Sequence, residues 1–293
     1  MNIVNMINDD VLIYITSFLS PYDFYAYFET CKLFYSLKNK IIKNLEIKNP
    51  PSWIISRSIK LLEWGSLHNG FKLTQNISQF AIKNDDNDVL DYLIYNECPF
   101  NYKSYIEAIR NENIDLIIFL KENDVELNNS VYLNAAKIGN LDILKIFKKN
   151  INYNSRILNF SIYAGKFDAV KWLVKNGCKP NHLSLNYAVK SRNFRILEYI
   201  YNILLHDLSL PLWNYKLPII AARRGYIDVL KWLNKKYCPM NVYTTNAAYN
   251  YNKIKTLEWL VKNGCPIKRE IYNNLQKISN SINEINNIKI VDF

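Results

Sequence analysis

The 293-residue chain predicts an all-α fold: seven short helical repeats of about 27 residues, stacked as a solenoid behind a three-helix N-terminal module. Three observations predict it. A small residue of a first helix recurs at Ala81, Ala108, Ala135, Ser161, Ala188, Ala221 and Ala248, at intervals of 27, 27, 26, 27, 33 and 27. A pair closing a second helix keeps the same register, as Tyr92-Leu93, Phe119-Leu120, Ile146-Phe147, Trp172-Leu173, Tyr199-Ile200, Trp232-Leu233 and Trp259-Leu260. Between them an acid recurs at Asp88, Asp115, Asp142, Asp168 and Asp228, replaced by Arg195 and Lys255 in the other two copies. Neither helix of a copy can bury its apolar stripe alone, so the copies must stack.

Residues 1–48 do not fit the repeat. Asp10–Leu19 reads as a short amphipathic helix that Ser20-Pro21 ends. Asp23 opens a second helix through Phe24, Tyr27 and Phe28, and Cys31–Leu37 leads into a third. So small a module buries little area and is expected to lean on a partner or on the repeats. Pro50-Pro51 forbids helix continuation and marks a boundary. Residues 49–75 then hold a linker and a degenerate capping repeat, with Trp64 near the aromatic anchor.

The seven repeats fill 76–268. In the best-formed copy Leu217–Arg224 is the first helix and Gly225 breaks the chain. Ile227, Val229, Leu230, Trp232 and Leu233 line one face of the second helix, which Pro239 stops. Trp172, Trp232 and Trp259 are expected in the core. Six extra residues in the fifth copy, placed in Ile203–Leu212, predict a longer second helix or a protruding loop. Residues 269–293 read as a capping helix followed by frayed chain.

No run of 18 apolar residues exists, and the N-terminal segment lacks the basic start and apolar run of a signal peptide. The expected location is the cytoplasm, with the nucleus as the second choice. The abundance of Asn, Lys, Ile and Tyr suggests an AT-rich genome. Four of the five cysteines, Cys98, Cys178, Cys238 and Cys265, share one repeat position after the second helix, and no Cys-x-x-Cys accompanies them. They read as reduced, half-buried structural thiols, with no metal and no cofactor expected. Residues 1–150 carry 16 Lys+Arg against 18 Asp+Glu, whereas residues 151–293 carry 21 against 8. A field of one sign over the second half favours an acidic partner or nucleic acid.

The N-terminal stretch Ile7-Asn-Asp-Asp-Val-Leu-Ile-Tyr-Ile-Thr-Ser-Phe-Leu-Ser-Pro-Tyr-Asp-Phe, followed by Cys31-Lys32-Leu33-Phe34-Tyr35, resembles an F-box. It departs from that family at Asn8, where a proline is usual. The resemblance implies docking onto the small adaptor subunit of a cullin–RING ubiquitin ligase, with Val11, Leu12, Pro21, Phe24 and Phe34 at or shaping the contact.

Ala135-Ala-Lys-Ile-Gly-Asn-Leu-Asp-Ile-Leu-Lys and Ala221-Ala-Arg-Arg-Gly-Tyr-Ile-Asp-Val-Leu-Lys resemble the core of ankyrin repeats, and Lys175-Asn-Gly-Cys and Lys262-Asn-Gly-Cys-Pro their helix-end loop. The copies are shorter than ankyrin repeats and lack the Thr-Pro-Leu-His opening, which implies a shortened loop without projecting hairpins. The short form with an N-terminal F-box is similar to the ankyrin-type repeat proteins of large DNA viruses of amoebae.

No catalytic constellation is present: the sequence holds no Gly-rich phosphate loop, no His-Glu-x-x-His and no Gly-x-Ser-x-Gly. The recurring aspartates suit the N-terminal dipole of a helix. The expected function is therefore binding. By resemblance to ankyrin stacks the first helices line the concave face, where the residue two past each small anchor forms a ladder: Lys83, Arg110, Lys137, Tyr163, Lys190, Arg223 and Asn250. With Arg192 and Arg224 added, the candidate target-binding residues are Lys137, Tyr163, Lys190, Arg192, Arg223 and Arg224. The expected protein is a substrate receptor joining a ligase to an acidic protein target. The alternative is a plain scaffold for acidic surfaces or nucleic acid. Duplex DNA fits less well, because no copy offers a base-reading helix.

Overall fold

The computed structural model describes residues 72–206, 213–278 and 288–292, together with Ser56, Ile59, Leu62 and Glu63. Within them fourteen helices form seven pairs. The first helices are α1 (Gln75–Asn84), α3 (Tyr102–Arg110), α5 (Asn129–Ile138), α7 (Ser155–Tyr163), α9 (His182–Ser191), α11 (Lys216–Arg224) and α13 (Val242–Asn250). Their partners are α2 (Asn87–Tyr95), α4 (Ile114–Glu122), α6 (Leu141–Ile146), α8 (Phe167–Lys175), α10 (Phe194–Leu205), α12 (Ile227–Lys235) and α14 (Ile254–Lys262). A fifteenth helix, α15 (Arg269–Ile278), follows the strand β1 (Ile267–Lys268), and β2 (Ile290–Val291) comes last. The expected helical-repeat fold is what forms.

Asparagine starts the first helices. Seven residues before the small anchor stand Asn101, Asn128, Asn154, Asn181, Asn214 and Asn241. Each side-chain oxygen accepts from the backbone N–H two residues on, at 2.9–3.1 Å. Such bonds satisfy donors that a helix leaves unpaired. In three copies a hydroxyl reciprocates by accepting from the asparagine's own N–H: Ser104, Ser184 and Thr244. Asp86, Asn113, Asn140 and Asn193 cap second helices in the same manner.

Left-handed residues end the helices. Four residues past the anchor φ is positive in every copy: Asp85, Glu112, Gly139, Gly165, Arg192, Gly225 and Asn252, at 53–76°. A second such position closes the second helix at Glu97, Asp124, Gly177, Tyr237 and Gly264, at 51–104°. At nine of these twelve positions the chain reverses so that the next N–H reaches back to an orphan carbonyl, as from Tyr226 to Ala221 at 2.9 Å and from Cys238 to Leu233 at 2.9 Å. Helix α12 is therefore stopped by Tyr237 in the left-handed conformation, two residues ahead of the Pro239 that the sequence suggested.

The chain divides into two compact parts, Met1–Val131 and Tyr132–Phe293, with the boundary inside α5. In the first part α1 packs on α2 and α3, and α3 on α4. In the second, α7, α9 and α11 each pack on the next first helix, all four of α7, α9, α11 and α13 pack on their own second helix, and α6, α8 and α10 pack in succession. All seven small anchors are fully buried, and so is the second member of every closing pair, Leu93 through Leu260. The first member is not: Trp172 and Trp259 are only half-buried, and of the three tryptophans expected in the core only Trp232 is buried there. Its cover is peculiar to the long fifth copy. Helix α10 runs to twelve residues and brings Tyr201 to 5.3 Å from the Trp232 ring, edge to face, with Trp213 stacked on Tyr201.

Among the described residues the only strands are β1 and β2, a short parallel pair, so the described connections between copies carry no hairpin. Residues 288–292 are not frayed: β2 pairs with β1, and Arg269 forms a two-point ion pair with Asp292. Helix α15 buries Ile271 and Leu275, and Leu275 stands 27 residues after Ala248, in the anchor position of an eighth first helix.

Candidate functional site

A residue two past a buried anchor lies about 200° round the helix and points away from the core. The structure places the ladder accordingly. In the first part Lys83 and Arg110 are exposed, the latter paired with Glu107 at 2.6 Å. In the second part Lys137 and Asn250 are exposed, Tyr163 is 49% exposed, and Lys190 and Arg223 are partly covered.

What covers them is aromatic. The Lys190 ammonium lies 4.9 Å over the ring of Tyr187, one turn back on α9, and Tyr187 meets the Tyr163 ring edge to face at 6.2 Å. The Arg223 guanidinium lies 5.5 Å over Tyr251, itself 54% exposed. Arg224 donates to the Tyr226 hydroxyl at 3.5 Å. That bond, with the phenol of Tyr163 nearby, holds its guanidinium above its usual range. Cations resting on ring faces gain a modest electrostatic attraction, and the rings hold them in place. All six target-binding candidates thus reach the surface at least in part, with Tyr163 and Lys190 joined through the Tyr187 ring, Arg223 resting on Tyr251 and Arg224 bonded to Tyr226.

Arg192 does not join them as a free charge. It takes the left-handed position that ends α9, and its guanidinium donates to the Asp228 carboxylate at 2.9 Å while lying over Tyr226. The recurring aspartates all sit in the first turn of a second helix, as expected.

The rings of Tyr187, Tyr226 and Tyr251 are the part that sequence reasoning missed. Tyr187 and Lys190 are three apart on one helix, a spacing visible in the sequence. The Arg223–Tyr251 contact joins successive copies, so only the stacked structure shows it.

The four cysteines are more buried than half: Cys98, Cys178, Cys238 and Cys265 are each under 5% exposed. Each follows the left-handed residue that ends a second helix, where a small apolar side chain folds back on the last turn. The thiols of Cys98 and Cys265 donate to the carbonyls of Thr74 and Asn241, which open the first helices of their own copies. Burial pushes Cys98 up to about 11 and the other three up to about 12, so they remain unreactive thiols at neutral pH. Among the described residues no three His, Cys, Asp or Glu side chains gather as a metal would require, and no helix is long and apolar enough to cross a membrane. The F-box-like candidates Val11, Leu12, Pro21, Phe24 and Phe34 lie outside the described residues, as do Asn8, Cys31 and Trp64.

No family model matches the chain, and no curated protein matches its sequence. Among solved structures it is similar to the pentatricopeptide repeat protein PPR10 from maize, with 13% identity and a TM-score of 0.44 over 92% of this chain and 56% of that one. Against the same protein in complex with an 18-nt psaJ RNA element, identity is 13% and the TM-score 0.43, over 92% of this chain and 50% of that one. The chain thus spans about half the length of the structures it matches.

Proposed function

We propose that the chain is a non-enzymatic interaction adaptor, with ankyrin-type repeats that hold an anionic partner on the first-helix face of residues 132–293. The observation that carries this reading is the ladder of Lys137, Tyr163, Lys190 and Arg223, every member at least partly exposed and on equivalent positions of α5, α7, α9 and α11. Residues 132–293 hold 25 Lys+Arg against 9 Asp+Glu, which supports steering of a negative partner to this part of the chain. Replacing Lys190, Arg223 and Arg224 together by Glu is expected to lower sharply the salt at which the protein elutes from immobilised heparin, with the circular dichroism of the parent. Elution at unchanged salt by a folded triple variant would place the anionic site elsewhere.

The second half of the proposal concerns residues 1–48. Their likeness to an F-box, through Leu12, Leu19, Pro21, Asp23, Phe24, Cys31 and Phe34, supports recruitment of the adaptor subunit of a cullin–RING ligase. Leu12→Asp with Pro21→Ala is expected to abolish co-purification with that subunit while the repeats stay folded. Retention of the subunit by the double variant would place the contact elsewhere, and failure of the parent chain itself to co-purify would leave it a scaffold without ligase recruitment.

A further inference from the structure

We propose that the first-helix face of residues 132–293 binds single-stranded nucleic acid, with bases stacking on the exposed tyrosine rings and phosphates meeting the lysine and arginine heads. This rests on the reading of that face as the site of an anionic partner, and it names the partner.

Charge alone does not choose between an acidic protein and a nucleic acid, but the rings do. A carboxylate-rich protein is best held by unobstructed guanidinium forks. Here Arg223 lies over Tyr251 and Lys190 over Tyr187, so cation and ring present themselves together. Tyr163 occupies a ladder position that carries a cation in most other copies, and about half of its surface is open to solvent, as is that of Tyr251. Exposed phenol rings add little to the capture of carboxylates. On a single strand they are platforms for any base, and sequence-tolerant binding combines such platforms with a cationic track. Guanidinium planes stack on bases as well.

The placement suits a linear partner. Helices α7, α9, α11 and α13 pack in succession, which sets successive ladder residues roughly 8–10 Å apart. Tyr163, Lys190, Arg223 and the Tyr251 ring therefore follow one another along a line rather than around a point. No helix offers base-reading side chains to a duplex groove, but a single strand needs none. Its bases are already free to stack. Arg192 is left out of the contact set, because the Asp228 carboxylate neutralises it.

The test is fluorescence anisotropy of the full chain with labelled oligo(U), oligo(dT), a random duplex and poly-glutamate, each across a salt series. The expected result is binding of oligo(U) and oligo(dT) alike, more tightly than duplex or poly-glutamate. Tyr163→Ala and Tyr251→Ala should each weaken it about tenfold with the salt slope unchanged, and Tyr163→Phe should restore affinity. Lys190→Gln and Arg223→Gln should instead flatten the salt slope, because each removes a phosphate contact. Single strands that bind with tyrosine variants indistinguishable from the parent, or a preference for duplex, would overturn the proposal. Binding of poly-glutamate alone, lost on substitution of Lys190 and Arg223, would overturn it while leaving the anionic-partner reading intact. Failure of every probe would remove both.

Discussion

At the scale of single residues, the repeat is written chiefly by positions that the apolar pattern does not show. The asparagine seven before the anchor and the left-handed residue four after it recur in nearly every copy, yet neither is apolar. The asparagine was legible: it is invariant in six of seven copies, and its cap chemistry is general. The left-handed position was legible only where it is glycine, since Asp85, Glu112 and Arg192 give no sign of a positive φ. Those residues carry a backbone cost that glycine avoids. Tyr237, at φ 57° and 91% exposed, loses no packing on truncation, so Tyr237→Gly is expected to raise stability by roughly 0.5–1 kcal/mol, the strain relieved less the entropy glycine loses. Gly139→Ala should do the opposite and cost about 1–3 kcal/mol, because φ is 76° and a Cβ there would come within 2.6 Å of the Lys166 side chain. Paired urea titrations read both. A Tyr237→Gly midpoint below that of the parent would show that its conformation carries no strain.

At the scale of the helix, burial followed the register but not the aromatic character of the residues. The closing pair was read correctly as a core anchor, and the fully buried member is its second, the Leu, Ile or Phe. A tryptophan in the first member's place lies at the edge of the second helix and becomes core only where something covers it. Tyr201 and Trp213 do this for Trp232, and both belong to the fifth copy, whose extra residues lengthen α10. The insertion was visible as a gap of 33 among gaps of 26 or 27, but its packing consequence was not. Trp232→Ala is expected to cost about 3–5 kcal/mol, as for a buried aromatic, and Trp172→Ala distinctly less. Thermal unfolding of the two variants checks the order, and equal losses would mean that the Tyr201–Trp213 cover contributes nothing.

At the scale of the whole molecule, the period, the number of copies and the segregation of charge were all readable before any coordinates, because they are additive properties of a repeated sequence. The contacts of Tyr163 with Tyr187 and of Arg223 with Tyr251 were not, because each joins residues from different copies. The same additivity governs stability, which in a repeat array is a sum of intrinsic and nearest-neighbour terms. Helix α15 supplies the last such term. Leu275 fills the anchor position with a full Leu where seven copies carry Ala or Ser, and Asn274 donates to the Tyr249 hydroxyl of α13 at 3.1 Å. Leu275→Ala is expected to cost about 2–5 kcal/mol. The loss should be felt close by: hydrogen exchange should quicken in α13, α14 and α15, and more weakly in α11 and α12, while α7 and α8 keep the protection of the parent. Nearest-neighbour coupling predicts that gradient, since each first helix packs directly only on those beside it. If α7 and α8 lost protection in step with α13, residues 132–293 would open as one cooperative block and the additive description would fail.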